Sequence, residues 1–149
     1  KNIPLVIRIA DCASIFLFDP SKKIIANIHE GWRGLAAKII HHAVRELNER
    51  FRVRPENIFA GISPMLGPCC SRFSQPKKEL PKFLHSYIIP ENIVDLWSIT
   101  ESQLSECGVL EEHIENPRIC TFCNPEDFFS YRRRREGDSG RFGTAIMLK

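Results

Sequence analysis

The chain has 149 residues, 43% of them apolar and 26% charged, and a net charge of +3. Folds of about 150 residues bury roughly two-thirds of their extended surface, so one domain over residues 1–149 is expected, and the composition excludes a disordered chain or a disulfide miniprotein. No apolar run approaches the roughly 20 residues that span a bilayer, and the opening Lys1-Asn2-Ile3-Pro4 lacks a signal-peptide pattern, so a cytoplasmic, non-membrane protein with its six cysteines reduced is expected.

The opening without methionine is read as a missing N-terminal segment. Residues 3–9 (IPLVIRI) and 15–18 (IFLF) are short runs rich in Ile, Val and Phe, predicted as buried strands. Asp19-Pro20-Ser21-Lys22 carries turn chemistry, and IIANIH returns as the second arm of a β-hairpin. From Leu35, the positions Ala36, Ile39, Ile40, Ala43, Val44, Leu47 and Phe51 recur at three- and four-residue steps, which predicts one helix ending near Phe51. ENIFAGIS reads as a strand and SPMLGPCC as a shaped loop. The proline-punctuated stretch 73–93 has no assignable period. WSITESQLSECG reads as a helix closed by Gly108, and the end of the chain as two strands around Gly137-Asp138-Ser139-Gly140.

The chemistry gathers at the two ends of the hairpin arms. A four-residue loop over Asp19–Lys22 sets Phe18 opposite Lys23 and Cys12 opposite His29, close enough for thiolate and imidazole to share a metal ion. A catalytic zinc has three protein ligands and an open position that activates water, and the chain offers no evident third ligand. The same pair without metal is also the arrangement of a cysteine nucleophile and its base. The junction Gly31-Trp32-Arg33-Gly34 adds unpaired amides at a helix start and the Arg33 fork, both suited to an anionic oxygen. Cys69-Cys70 and Cys120-Thr121-Phe122-Cys123 lack the spacing of paired Cys-x-x-Cys knuckles and are read as structural thiols. The run Arg132-Arg133-Arg134-Arg135 is read as a solvated loop that attracts phosphate; no interleaved aromatic platform accompanies it, so nucleic acid is not an expected partner.

ADCASIFLFDP, HEGWRG, GPCC, CTFCNPEDFFSYRR and SGRFGTAI occur in the order and approximate spacing of the YfiH-type family, also called the laccase-domain or multicopper polyphenol oxidase-like family, which the whole chain resembles. The resemblance implies a mixed α/β fold, a layered α/β/β/α sandwich, and a zinc site from Cys12, His29 and a histidine of an upstream segment. It implies phosphorolysis of adenosine, inosine and methylthioadenosine, with adenosine deaminase activity, so that purine nucleoside and phosphate are the expected small-molecule partners. Cys12, His29 and Arg33 are then the expected catalytic residues, and Arg33, Arg132 and Arg141 the expected substrate contacts. The rival readings are a copper-dependent polyphenol oxidase, with copper as the ion, and a non-catalytic metal-binding module. Position 30, commonly Ala in the family, is Glu30; Ser63 stands where Gly is frequent, Ser71-Arg72 where Tyr-Glu is, and Arg134-Arg135 make the last loop more basic than usual.

Overall fold

The computed structural model describes residues 2–137 and 139–149. β2 (Ala13–Asp19) and β3 (Ile24–Glu30) form the expected hairpin, which extends through β4 (Phe59–Ile62), antiparallel to β2, and β7 (Ile114–Glu115), parallel to β4. β1 (Leu5–Ile9) and β8 (Phe142–Ile146) pair with each other in a separate two-stranded ribbon. β5 (Ile88–Ile89) and β6 (Ile93–Val94) make a third, minimal pair.

The hairpin register differs from the predicted one by two residues. Asp19 pairs with Ile24, Ser14 with His29 and Ala13 with Glu30. The reason is the turn: the Asp19 carboxylate accepts from the Ser21 and Lys22 amides at 2.8 and 3.0 Å, so Asp19 is the last ladder residue and caps a loop of Pro20 to Lys23. Cys12 therefore stands beyond the strand, opposite Gly31 rather than His29.

Alternation assigns the faces. Ala13, Ile15 and Leu17 of β2, with Ile28 and Glu30 of β3, turn toward the helices and are buried. There they meet Ile40, Val44 and Leu47 of α2 (Ile39–Phe51) and Leu96, Ile99 and Leu104 of α4 (Leu96–Glu106). Ser14, Asn27 and His29 turn to the other face, where Asn27 donates to the Leu5 carbonyl of β1 at 3.0 Å and holds the ribbon against the hairpin. Helices, main sheet and ribbon thus form layers, in the mixed α/β class that the family resemblance implies.

Three segments depart from the sequence reading. The helix after the junction is two helices, α1 (Trp32–Ala36) and α2, separated at Lys38, whose φ of 55° is left-handed. The apolar period runs through this break because Leu35, Ile39 and Ile40 stay on the core side. β1 is largely exposed, Val6 by 60%, since a two-stranded ribbon covers one face at most. The last segment is a 3₁₀ turn over Arg132–Glu136 followed by β8 alone, and Asp138 of the predicted turn lies outside the described residues. The unassigned stretch holds α3 (Pro76–Glu79) and 3₁₀ turns over Lys82–Tyr87 and Pro90–Asn92 around β5 and β6. The α4 assignment holds: Asp95 caps its start by accepting from the Ser98 amide at 3.1 Å, and Gly108 follows its end with φ +90°.

Candidate active site

Where the hairpin arms end, the chain encloses a cleft of about 960 Å³. All five site residues expected from the sequence line it: Cys12, His29, Arg33, Arg132 and Arg141. Cys12 and His29 share a face. A Cβ built on Gly31 would stand 2.9 Å from Cys12 Sγ, so the sulfur occupies the side of β3 on which residues 29 and 31 project, one diagonal step from His29. Any side chain at position 31 would thus crowd the Cys12 thiol.

The neighbours of this pair point away from it. Glu30 is fully buried on the helix face, its Oε2 2.8 Å from Thr100 Oγ1, while its Oε1 has no partner. Burial pushes its carboxyl up to about 8, against the opposing contact with Thr100. Thr100 Oγ1 also lies 2.9 Å from the Leu96 carbonyl, so its one proton is divided between that carbonyl and Glu30. Asp11, with φ 77°, turns the chain out of the ribbon, and its carboxylate accepts from Thr121 Oγ1 and from the Arg132 amide, each at 2.8 Å.

Burial, followed by the charges of Asp11 and Glu30, raises the Cys12 thiol, and Arg141 pulls the other way. A metal-free thiolate nucleophile is opposed by this setting. A soft divalent cation fits it better: sulfur and imidazole on one face, beside an open cleft, are the donors such an ion takes. Two such donors are one fewer than the three protein ligands that a catalytic zinc has.

The rest of the wall is cationic. Arg8, Arg33, Arg72, Arg132, Arg134, Arg135 and Arg141 line the cleft, and of its three acidic lining residues, Asp11, Glu30 and Glu79, Glu30 turns its carboxyl to the helix face. Arg132 donates to the Arg72 carbonyl at 2.9 Å. Arg33 lies over the Trp32 ring at 4.2 Å, and Arg134 and Arg141 over Tyr131 at 4.0 and 5.5 Å. Trp32 and Phe73 meet edge to face, 5.7 Å between centroids, so the wall combines aromatic surfaces with an anion-binding field. The sequence assigned no site role to Arg8, Arg72, Phe73 or Tyr131, whose place in the cleft wall is set by tertiary packing. It also treated the arginine run as one loop, whereas Arg133 is buried and donates to the carbonyls of Thr121 and Phe122, both at 2.6 Å, and of Phe128. The helix-start amides recede in importance, because α1 has only five residues and little macrodipole.

The remaining histidines stand apart from Cys12 and His29. His41 pairs with Glu106 at 3.2 Å, His42 with Arg45 at 2.9 Å and His85 with the Leu80 carbonyl at 3.0 Å, while His113 stacks on Phe59. Among the described residues, the grouping of three or more metal-ligating side chains is Cys69, Cys70, Cys120 and Cys123, whose sulfurs lie within 4.8 Å of one another. The spacing argument against a common centre fails because a turn folds the adjacent pair back toward Cys120.

Residues 1–149 match the family described as multi-copper polyphenol oxidoreductase laccase. The chain is 32% identical over 152 residues to the purine nucleoside phosphorylase YlmD of Geobacillus stearothermophilus, covering 94% of this chain and 54% of that protein. Over 148 residues it is 32% identical to the purine nucleoside phosphorylase LACC1 of Mus musculus, covering 92% and 33%. The crystal structure of YfiH from Bacillus licheniformis superimposes with a TM-score of 0.88 at 28% identity, over 100% of this chain and 59% of that one. The chain thus spans about half the length of these bacterial relatives. Fold, hairpin motif and whole-chain match agree: this chain belongs to the laccase-like, YfiH-type family.

Proposed function

We propose that the cleft binds a purine nucleoside and phosphate and transfers the ribosyl group from the base to phosphate. The observation that carries this reading is the convergence of seven arginines and three aromatic rings on the cleft that holds Cys12 and His29. Arg33 and Arg141, with Arg132, hold the phosphate by charge-assisted bonds, and the guanidinium fork fixes its orientation beside the sugar. Trp32, Phe73 or Tyr131 offers a face to the base. Phosphate oxygen then joins the ribose C1′ as the bond to the purine nitrogen breaks. The purine nucleoside phosphorylase names of the relatives support this substrate class.

Cys12 and His29 would hold a zinc ion, with a histidine beyond this chain as third ligand. Zinc, when bound, supplies a Lewis acid that polarises a substrate oxygen or acidifies water. The same ligand pair extends the proposal to adenosine deamination, which needs no phosphate. Oxidation of phenols by several copper ions needs a set of convergent histidines, and the four others of this chain are engaged elsewhere.

The experiment is product analysis with the Cys12→Ala variant. The parent protein should convert inosine and phosphate to hypoxanthine and ribose 1-phosphate, and the variant should lose both that conversion and its cleft-bound zinc. Retention of both by the variant rejects the metal assignment; a zinc-loaded parent protein inert toward adenosine and inosine favours a non-catalytic module.

A further inference from the structure

We propose that Cys69, Cys70, Cys120 and Cys123 bind one zinc ion as a tetrathiolate structural site, separate from the Cys12 and His29 pair. Zinc–sulfur bonds of about 2.3 Å in a tetrahedron set the sulfurs about 3.8 Å apart. The four sulfurs here already lie within 4.8 Å of one another, with Cys123 Sγ 3.5 Å from that of Cys69 and 3.4 Å from that of Cys70. All six cysteines are free thiols, and these separations far exceed the roughly 2.05 Å of a disulfide.

The backbone holds the two segments together independently of the sulfurs. The Met65 amide donates to the Ile119 carbonyl at 3.2 Å and the Thr121 amide to the Met65 carbonyl at 3.1 Å, which fixes Cys120 beside the loop of the adjacent pair. Gly67 makes this approach feasible: a Cβ there would stand 2.5 Å from the Trp97 ring and 3.1 Å from Cys120 Cβ. Its amide donates to Cys120 Sγ at 3.3 Å, the kind of outer-shell bond that orients a metal-ligating sulfur. Cys69 and Cys123 are exposed, so an ion can enter from solvent. Four soft donors within 4.8 Å of one another suit zinc and a structural role.

What the ion would hold is the floor of the cleft. Both segments bond to Asp11: the Leu66 amide donates to its carbonyl at 2.9 Å, and Thr121 Oγ1 to its carboxylate. Asp11 precedes Cys12, so the staple supports the residue that presents the thiol to the cleft.

The test uses the Cys12→Ala variant, purified with zinc under reducing conditions, so that the cleft pair does not contribute. Metal analysis should find about one zinc per chain, and X-ray absorption should report four sulfurs at about 2.3 Å. Cobalt replacing that zinc should give the intense sulfur-to-metal charge-transfer band of a tetrahedral thiolate centre. Adding Cys69→Ser and Cys123→Ser should remove the bound equivalent. Absence of metal, a shell dominated by nitrogen or oxygen, or a Cys69–Cys123 or Cys70–Cys123 disulfide in the reduced preparation would overturn the proposal, as would unchanged metal content in the serine variant. The spectroscopic arms stand even if that variant fails to fold.

Discussion

The β2–β3 hairpin and the segment from Cys120 to Arg135 face each other across one cleft and are held by different forces. The hairpin is fixed by a ladder of seven residue pairs, and its side chains take their directions from the pleat. The opposite wall has no such ladder. Beyond the single Met65 to Cys120 backbone bridge it hangs on side-chain contacts: Asp11 grips Thr121 and the Arg132 amide, and the buried Arg133 guanidinium collects three carbonyls. A single substitution in the hairpin leaves most of its bonds standing, whereas one in the opposite wall can release several at once.

Arg133→Ala should give the largest effect of this contrast. It leaves three partly buried carbonyls without their donor, so stability should fall by about 3–5 kcal/mol in denaturant unfolding. A loss within about 0.5 kcal/mol would mean that the wall does not depend on this side chain. On the hairpin, Glu30→Gln should act mainly through pH. The Glu30 carboxyl is raised from 4.5 in the open chain to about 8 when folded, so the unfolded state releases its proton first and parental stability declines as pH rises from about 4.5 to about 8. The glutamine variant lacks this slope and should gain on the order of 2–4 kcal/mol relative to the parent across that window. Parallel pH profiles for the two proteins would show that Glu30 titrates normally.

Arg33→Ala and Arg141→Ala should each raise the KM for phosphate about 10- to 100-fold, the worth of one or two charge-assisted bonds, with melting temperature little changed. An unaltered KM in both moves the phosphate to another part of the wall. The smallest effect belongs far from the cleft: the exposed Arg50–Glu46 pair on α2, 2.6 Å apart, should contribute less than about 0.5 kcal/mol in a double-mutant cycle.

The same contrast explains what could be read from the sequence. Alternation in β2 and β3 is local and carries face assignments with it, so Cys12 and His29 were legible as neighbours even though the turn moved the register by two residues. A slip of two preserves the faces, so Cys12 and His29 stay on one face despite the error in register. The opposite wall is tertiary. Nothing local distinguishes Arg133, which turns inward, from Arg132, which lines the cleft, because the difference lies in carbonyls up to twelve residues away. Phe73 and Tyr131 were hidden for the same reason, and the four cysteines were judged by spacing when the Met65 to Cys120 bridge decides their proximity. The Lys38 break escaped notice because one left-handed residue leaves the apolar stripe intact.

In the proposed reaction, phosphate bound in the arginine-lined cleft is the acceptor of the ribosyl group. The direct measurement is release of hypoxanthine from inosine as phosphate is varied. Release should be absent without phosphate, should saturate as phosphate rises, and should match ribose 1-phosphate mole for mole. Base released at the same rate without phosphate, with free ribose as the co-product, would contradict it.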